Sequence, residues 1–409
     1  MKLKPISFII PSRNNLKYLK QAYESIRKNQ SVEHEICIAD DFSDDGTMEW
    51  VLVQMKRDKN IKFHRNHGPT RLGHTILYDT LINDYATHDR VMIFHADMYL
   101  CPNADKSIDK LLEPKSVVSL TRIEPPLHPE GPEKILKDFG IEPEEFEEEE
   151  LLKFLSEEVH YDKGRGIVTE GIFAPWVILK EDWDYIGGHD PLFAPQSKED
   201  SDIFNRFHLA GFKFKQTWDG FVYHMTCRGS RFKDGAKRNP DGQVFMKGRE
   251  SDEWLTQNHK STREFIRKWG HFVQHDEMMK PIVPHKYDIG FVVYNCTKHL
   301  LSELEPWCNK LYLDSRDSNL IGEYVKEEQK ISSYDLNERV KLYGTSKVSE
   351  LHDICVEFDA SRLNNENIQV ITNLSEIITD SGEVGEMEYD IFKFYINKLD
   401  TYEKELIQL

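Results

Sequence analysis

The chain has 409 residues, of which 30% are charged, 39% hydrophobic and 11% aromatic. This composition excludes collagen-like, low-complexity and disulfide-scaffold proteins. The net charge of −18 repels phosphate polymers, so bulk nucleic-acid binding is not expected. The six cysteines form no CxxC pair, as is typical of reduced thiols, and no apolar stretch approaches the roughly 20 residues of a membrane-spanning helix. We therefore predict a cytoplasmic protein without a transmembrane segment.

Strand and helix signals alternate over the first 120 residues. Short apolar runs at 6–10, 35–40, 91–94 and 117–120 predict strands, and apolar residues between 16 and 26 recur at helical spacing. This alternation predicts an α/β fold with a parallel sheet covered by helices on both faces. Ligands of such sheets bind beyond the carboxyl ends of the strands. Here those ends carry the polar segments 11–14, 40–41 and 95–97.

Two segments of unusual charge interrupt this alternation. An acidic insertion covers about 122–166, and within it residues 142–158 contain nine glutamates and one lysine. We expect an exposed acidic helix within a loop there; the alternative is a lid or a partner-docking element. Residues 228–249 are locally basic and are expected to be either a flexible clamp over a diphosphate or a solvated loop.

A change of pattern near residue 284 indicates a second domain. Strand and helix signals continue over 167–224, and Pro281 and Pro284 then precede new strand candidates at 289–294, 311–313, 354–358 and 368–371. Residues 285–409 hold 13 Lys and Arg against 24 Asp and Glu, and so carry most of the excess negative charge. We predict a larger domain at 1–284 and a smaller accessory α/β domain at 285–409.

Three motifs occur in an order and spacing that together are specific. They are Ile-Ile-Pro-Ser-Arg-Asn at 9–14, Asp-Asp-Phe-Ser-Asp-Asp-Gly-Thr at 40–47, and His-Ala-Asp at 95–97. With them the chain resembles the family 2 glycosyltransferases over about residues 5–230. The resemblance implies the Rossmann-like GT-A fold and transfer of a sugar from a nucleotide-sugar donor. A UDP-sugar is the expected donor, and a glycan or another hydroxyl-bearing molecule is the expected acceptor.

The resemblance also implies which residues contact the donor. Asp41 matches the family's carboxylate that accepts the N3–H of a uracil base. Arg13 stands where many members carry an aromatic residue, and a guanidinium can also stack on a base. An ordinary polar surface position is the alternative interpretation of Arg13. Pro11 and Asn14 complete the donor-binding end of the first strand.

A divalent cation is the expected cofactor, because a diphosphate needs compensation of its charge in so acidic a protein. Asp97 is the candidate ligand, and the resemblance implies His224 as a further ligand. His95 replaces the first Asp of the family's Asp-x-Asp motif and can instead hydrogen-bond the ribose. A mixed His/Asp set suits Mn²⁺ better than Mg²⁺. The competing interpretations are an Asp97 that caps a turn and a structural His224.

The segment Glu199-Asp200-Ser201-Asp202, followed by Arg206, resembles the family's Glu-Asp-x-Asp-x-x-x-Arg motif. The resemblance implies an inverting transfer with Asp200 as the base, beside Glu199. A general base of this kind removes the proton of the acceptor hydroxyl as that hydroxyl attacks. The alternative is a helix N-terminus enriched in acids by the helix dipole. In the basic stretch, Arg228 and Arg231 are the expected diphosphate contacts.

Two other functions stay open at this point. A sugar-1-phosphate nucleotidyltransferase has a similar fold, but it usually carries a Gly-rich basic loop after the first strand, and residues 11–17 are not one. A non-catalytic protein that binds nucleotide sugars or glycans would explain His95 as the mark of a lost enzyme. The sequence contains no GxSxG, Walker A, strand-linked GxGxxG or HExxH motif.

Overall fold

The structure is a computed structural model that describes residues 3–159, 166–226, 235–246, 250–344 and 347–409. The chain forms two compact units. The first unit comprises Met1–Gln257, His275–Pro281 and Leu409, and the second comprises Asn258–Gln274 and Ile282–Gln408. The predicted domain boundary between residues 284 and 285 stays a prediction.

The strands of the described residues are, in chain order, β1 Ser7–Ser12, β2 Glu35–Asp41, β3 Ile61–Asn66, β4 Arg90–Ile93, β5 Met98–Leu100, β6 Ser116–Glu124, β7 Lys134–Leu136, β8 Val168–Thr169, β9 Trp176–Leu179, β10 Lys213–His224, β11 Ala236–Arg238, β12 Val244–Met246, β13 Ile289–Tyr294, β14 Lys310–Leu313, β15 Val340–Leu342, β16 Ile354–Asp359, β17 Gly385–Tyr389 and β18 Phe392–Ile396.

The α-helices of the same residues are α1 Leu16–Asn29, α2 Thr47–Arg57, α3 Gly73–Thr80, α4 Ala104–Leu111, α5 Glu148–Phe154, α6 Lys180–Ile186, α7 Glu199–Leu209, α8 Asp252–Trp269, α9 Lys298–Leu304, α10 Ser318–Glu328, α11 Leu336–Arg339, α12 Ile368–Thr372 and α13 Leu374–Ser381. Short π-helices lie at Leu81–Tyr85 and Leu155–Val159, and short 3-10 helices at Pro143–Glu145, Pro191–Phe193, Glu305–Trp307, Ser315–Asp317, Val348–Glu350, Ala360–Arg362 and Glu403–Leu406.

The first unit is built on one large sheet with the strand order β3-β2-β1-β4-β9-β6-β10-β5, with β7 beside β6 and β8 beside β10. The β3-β2-β1-β4 part is parallel, and the β1–β2 register runs from Ser7 opposite Glu35 to Ser12 opposite Asp40. Strand β9 joins in the antiparallel direction. The predicted α/β fold with a mainly parallel sheet is confirmed.

The strands and helices of this unit follow from their sequences. Strands β1 and β2 consist almost entirely of buried residues, as expected of central strands covered on both faces. Helix α1 is amphipathic, and its buried side includes Tyr18, Leu19 and Ile26. The single strand β10 runs through residues 213–224, and its pairing register with β6 shifts between Thr217 and Phe221.

The acidic insertion is more deeply packed than the predicted exposed helix. Leu151, Phe154 and Leu155 are buried in one apolar cluster with Tyr99 and Tyr223 of strands β5 and β10. Most of the glutamates of this segment stay on its outer side. The charge count predicted the solvent-facing side correctly, but the apolar residues at near-helical spacing complete the core of the first unit. The expectation of a merely exposed helix is therefore wrong.

The second unit has its own six-stranded sheet in the order β15-β14-β13-β16-β18-β17. The first four strands are parallel, and β18 and β17 are antiparallel. The strand predicted at 368–371 is wrong, because Ile368–Thr372 is helical. Its β-branched residues favour a strand by propensity, but Ile371 is buried from a short helix against the core of this unit.

Among the described residues, no helix is both long enough and apolar enough to cross a membrane.

Candidate active site

The loops that follow β1 and β2 are tied together by the residues of the first two motifs. The backbone N–H of Asn14 donates to Ser43 Oγ over 2.9 Å, and Asn14 Oδ1 accepts from the N–H of Asp44 over 3.0 Å. Asp45 Oδ2 accepts from the N–H of Leu16 over 2.8 Å at the start of α1. The motif residues therefore shape the edge of the sheet where a donor is expected.

Asp41, the predicted base-binding carboxylate, is buried and already engaged. Its Oδ1 accepts from Asn66 Nδ2 over 2.7 Å and from the N–H of Leu72 over 3.0 Å, and its Oδ2 accepts from the N–H of Gly73 over 2.9 Å. These contacts fix the start of α3. A carboxylate offers about four acceptor positions, so one remains for a ligand.

Gly73 is required at this start of α3. It has φ +76°, and a Cβ there would lie 2.0 Å from the carbonyl oxygen of Pro195. Glycine adopts this left-handed conformation without steric penalty. The close approach brings the Asp41 loop against the segment that precedes Glu199.

Arg71 is a site residue that the sequence analysis missed. Its Nη2 donates to Gln196 Oε1 over 2.8 Å, and its Nε lies 3.6 Å from Asp41 Oδ2. Burial and the positive charge of Arg13 lower the pKa of Arg71. Two guanidinium groups are thus close enough to repel each other, which is an arrangement suited to an anionic ligand. No recognised motif includes Arg71.

The predicted metal residues come together although they are far apart in the sequence. Ligand atoms of His95, Asp97 and His224 all lie within 4.8 Å of one another. His224 Nε2 is 3.4 Å from Asp97 Oδ1, and the two imidazole rings have centroids 5.4 Å apart. Strand β5 runs antiparallel to β10 with Met98 opposite His224, which fixes this geometry through the backbone.

A divalent cation fits this group of residues by distance and by chemistry. Ligand atoms that each lie about 2.1 Å from one ion are roughly 3 to 4.2 Å from each other. The ligand atoms here lie within 4.8 Å of one another, so only small side-chain adjustments would bring them to an ion. Two imidazoles and one carboxylate are ligands that borderline transition metals accept. His95 therefore takes its place among the candidate ligands and not only beside the ribose.

The electrostatics of this group depend on a residue that the sequence analysis did not single out. Glu124 Oε1 lies 2.9 Å from His224 Nδ1. Burial disfavours charged His224, but the carboxylates of Asp97 and Glu124 outweigh it and raise its pKa to about 9. Burial and the charge of His224 lower the pKa of His95 to about 3, so His95 is neutral and has a free ring-nitrogen lone pair.

The acidic cluster at 199–202 divides into two functions. Asp202 and Arg206 are fully buried, and Arg206 Nε donates to Asp202 Oδ2 over 2.9 Å. The guanidinium also donates to the carbonyl oxygens of Ile186 and Gly188. Asp202 therefore holds the loop before α7 in place, whereas Glu199 and Asp200 remain the candidate catalytic carboxylates.

Glu199 and Asp200 lie among imidazoles that the sequence did not predict there. His74 Nε2 is 2.5 Å from Glu199 Oε1. Burial opposes ionisation of Glu199, but His74 outweighs it and lowers its pKa, whereas burial and the charge of Glu199 raise the pKa of Asp200. His189, in the loop between α6 and α7, has its Nδ1 2.7 Å from Asp79 Oδ1. The environment thus separates the two carboxylates electrostatically.

Tyr78 connects the metal group to the acidic pair. Burial and the negative charges of Asp200, Glu199 and Asp97 raise the pKa of its hydroxyl. Its ring also lies 5.9 Å from that of His74 and 5.7 Å from that of His189. The candidate cation ligands and the candidate base therefore face one common site.

The structure describes only part of the basic stretch at 228–249. Arg228 and Arg231 lie outside the described residues. Arg238 is described, and its guanidinium pairs with Asp138 over 2.6 Å and with Glu145 over 3.0 Å. This arginine fastens the β11–β12 hairpin to the acidic insertion.

Comparison with known proteins agrees with the sequence motifs. Residues 7–158 match the profile of the family described as Glycosyl transferase family 2. No curated protein sequence matches the chain.

Similar solved structures are distant from this chain. They include GalNAc-T7 with UDP, GalNAc and Mn²⁺, at 15% identity and a TM-score of 0.41 over 54% of this chain and 43% of that one. The mannosyltransferase PcManGT from Pyrobaculum calidifontis, in complex with GDP-Man and Mn²⁺, has 16% identity and a TM-score of 0.39 over 55% of this chain and 58% of that one. S. aureus TarS has 16% identity and a TM-score of 0.38 over 55% and 37%. The chain spans less than two thirds of each.

Proposed function

We propose that the protein, whose residues 7–158 match the Glycosyl transferase family 2 profile, transfers a sugar from a nucleotide-sugar donor to an acceptor hydroxyl. The observation that carries this proposal is the shared site of the cation ligands and the acidic pair. Such an enzyme needs charge compensation for the leaving diphosphate and a base for the attacking hydroxyl.

His95, Asp97 and His224 are the residues that would hold a divalent cation. When bound, the cation supplies positive charge that stabilises the diphosphate leaving group. We propose Mn²⁺ over Mg²⁺, because two of the three ligands are imidazoles and Mg²⁺ prefers oxygen ligands in regular octahedral geometry. Metal ligation needs an unprotonated ring nitrogen, which the neutral His95 already offers and which His224 would offer by releasing a proton when the cation binds.

Asp200 is the proposed general base of an inverting transfer. Its carboxylate would take the proton of the acceptor hydroxyl while that oxygen attacks the anomeric carbon. The raised pKa suits this role, because a stronger base accepts the proton more readily in the transition state. Glu199 stays ionised through His74 and so keeps negative charge beside Asp200.

The donor is proposed to be a UDP-sugar bound at the ends of β1 and β2. Asp41 keeps one acceptor position for the base N3–H, and Arg13 lies close to Arg71 beside it. Pro11 and Asn14 shape the first loop. We place the diphosphate towards Arg13 and Arg71, because their mutual repulsion is relieved by an anion.

A screen of nucleotide sugars tests the proposal directly. The melting temperature of the full chain is measured with UDP-, GDP- and other nucleotide sugars, each with Mn²⁺ and with a chelator. We expect a UDP-sugar to stabilise the protein only with Mn²⁺, and the same compound to be hydrolysed slowly by water. Stabilisation without turnover towards any offered acceptor or water would favour a non-catalytic binding protein. Release of pyrophosphate from a nucleoside triphosphate would favour a nucleotidyltransferase.

A further inference from the structure

We infer that Glu124 is a positioning residue for the cation site, which it serves by fixing the ring and the tautomer of His224. This inference rests on the proposed function, since it concerns the same cation. Glu124 belongs to none of the three motifs and to no predicted site. Its place in the fold connects it with His224.

The sheet brings the two residues together by its register. Glu124 ends β6 and His224 ends β10, and these neighbouring strands are parallel with Tyr223 opposite Ile123. Both side chains therefore leave the sheet at the same edge. Glu124 Oε1 lies 2.9 Å from His224 Nδ1, and Glu124 is almost completely buried.

The contact assigns opposite tasks to the two ring nitrogens of His224. Nδ1 carries a proton and donates it to Glu124, so Nε2 is the nitrogen that would release its proton to bind a cation. That nitrogen is the one that faces Asp97, 3.4 Å from Oδ1. A carboxylate behind a metal-bound histidine orients the ring and makes it a stronger ligand.

Glu124 is itself held rigidly, as this task requires. Arg122 Nη1 lies 2.9 Å from Glu124 Oε1, and Arg122 Nη2 donates to Glu133 over 3.0 Å. The guanidinium also stacks on Phe173, 3.7 Å from the ring centroid. Lys134 Nζ is 3.7 Å from Glu124 Oε2. Two cations thus keep Glu124 ionised inside the protein, and the burial cost is offset.

Glu133 offers a matched control. It is a buried glutamate bound to the same Arg122 and lies 3.4 Å from Lys134, but among the described contacts it has none with His224. Replacing either glutamate by glutamine removes one negative charge from the Arg122 cluster. Only the change at Glu124 reaches the cation site through a ring nitrogen.

The test measures the affinity of the full-length protein for Mn²⁺ alone, by the electron paramagnetic resonance signal of free Mn²⁺. We expect Glu124→Gln to weaken Mn²⁺ binding by about 10- to 100-fold, the usual range for such outer partners, and Glu133→Gln to leave it within about threefold. Melting temperatures monitor folding. Should Glu124→Gln not fold, Glu124→Asp, which keeps the charge but withdraws it from His224, is expected to weaken binding as well.

A double-mutant cycle with His224→Ala separates positioning from general electrostatics. If Glu124 acts through His224, then Glu124→Gln changes Mn²⁺ affinity little in the His224→Ala background. An equal loss in both backgrounds overturns the inference, as does a Glu124→Gln protein with wild-type affinity. If the wild-type protein binds no Mn²⁺, the proposed cation site itself is wrong and this inference falls with it.

Discussion

The sheets of the two units share a strand order but differ in what stands at their carboxyl ends. The first contains β3-β2-β1-β4 in parallel, followed by the antiparallel β9. The second contains β15-β14-β13-β16 in parallel, followed by the antiparallel β18. Each has its first strand at the centre and reverses direction of winding between its first and fourth strands. Such a reversal creates a crevice where ligands commonly bind.

The side chains at this crevice behave differently in the two units. Asp97 in the first faces two histidines, whereas Asp359 at the end of β16 accepts hydrogen bonds from Ser361 and Asn295 within its own loops. Within the described ranges, the first unit alone holds three clustered metal-ligating residues. The strand order therefore places a crevice at the carboxyl ends of the strands in both sheets, and the side chains there decide whether the crevice is suited to a metal ion.

Buried charge shows the same contrast. In the second unit Glu305 is fully buried and accepts hydrogen bonds from Arg267, Arg339 and Tyr324, so its charge is compensated by the protein. In the first unit the buried His224 and the partly buried Asp97 lie beside a second imidazole, in an arrangement that a cation would complete. One cluster stabilises its fold, and the other is suited to a ligand.

The largest expected effect distinguishes a catalytic carboxylate from a helix-terminal one. Asp200→Asn keeps shape and hydrogen bonding but cannot accept the acceptor's proton, so transfer should fall by about 10²- to 10⁴-fold with little change in donor affinity. Asp335→Asn is the control, because Asp335 caps α11 in the second unit. Initial rates and donor titrations check both. Full transfer by Asp200→Asn would remove the main support for an inverting mechanism.

The pH dependence of transfer tests the same carboxylate without a mutation. Burial and Glu199 raise the pKa of Asp200, so the base becomes protonated at a higher pH than an ordinary aspartate, whose pKa is about 3.9. We expect kcat/KM to fall on acidification with a midpoint clearly above that value. A rate that stays constant down to pH 4 would contradict this.

The next largest effect is on Mn²⁺ affinity, and it compares Asp97, which follows β4, with Asp359 at the end of β16. Asp97→Ala removes one of three proposed ligands, so Mn²⁺ affinity should fall by more than about 100-fold, beyond the range for outer partners. Asp359→Ala, at the corresponding strand of the second unit, should leave that affinity unchanged. Titration of free Mn²⁺ measures both. Similar losses in the two variants would mean that the comparison of the two edges is mistaken.

The third effect is on stability and belongs to the second unit. Glu305→Gln removes the buried carboxylate that Arg339 and Arg267 share, and although Arg267 keeps Glu264 and Glu328, the change should cost about 3–5 kcal/mol of unfolding free energy. Glu338→Gln breaks an exposed pair with Lys341 and should cost under about 1 kcal/mol. Denaturant unfolding gives both values. Mn²⁺ affinity should not change in either variant, and a parallel loss would show that the clusters are coupled.

Glu305 should also make the stability of the protein depend on pH. Burial opposes its ionisation, but Arg339 and Arg267 outweigh this and lower its pKa to about 2. Its contribution to stability is therefore present above the unfolded-state pKa of about 4.3 and is lost as the pH falls towards 2. The wild-type protein should lose more stability over this range than Glu305→Gln does.

The smallest expected effect is on metal preference. His95→Asp replaces an imidazole by a carboxylate and restores the family's Asp-x-Asp motif, so the Mn²⁺ over Mg²⁺ preference should decrease, by a factor below about 10. Donor-induced shifts in melting temperature with each metal measure it. An increased preference for Mn²⁺ would show that His95 is not a cation ligand.

The sequence determined the parts of this protein that depend on local pattern. Apolar runs predicted β1, β2, β4, β13 and β16, because central parallel strands are buried on both faces. The three motifs gave the resemblance to family 2 glycosyltransferases, and the match over residues 7–158 agrees with that resemblance. The roles of Asp41, Asp97 and Asp200 stay predictions. The predicted strand at 368–371 failed because β-branched propensity was overridden by packing of a short helix.

Only the tertiary structure decided which distant side chains complete the site. Glu124 contacts His224 because β6 and β10 are neighbouring parallel strands. Neither segment's own sequence specifies which strand it pairs with. His74 reaches Glu199 because Gly73 lets α3 approach Pro195 closely. The apolar side of the acidic insertion likewise became core only through contact with β5 and β10. Each of these depends on long-range packing, which a pattern of neighbours along the chain does not encode.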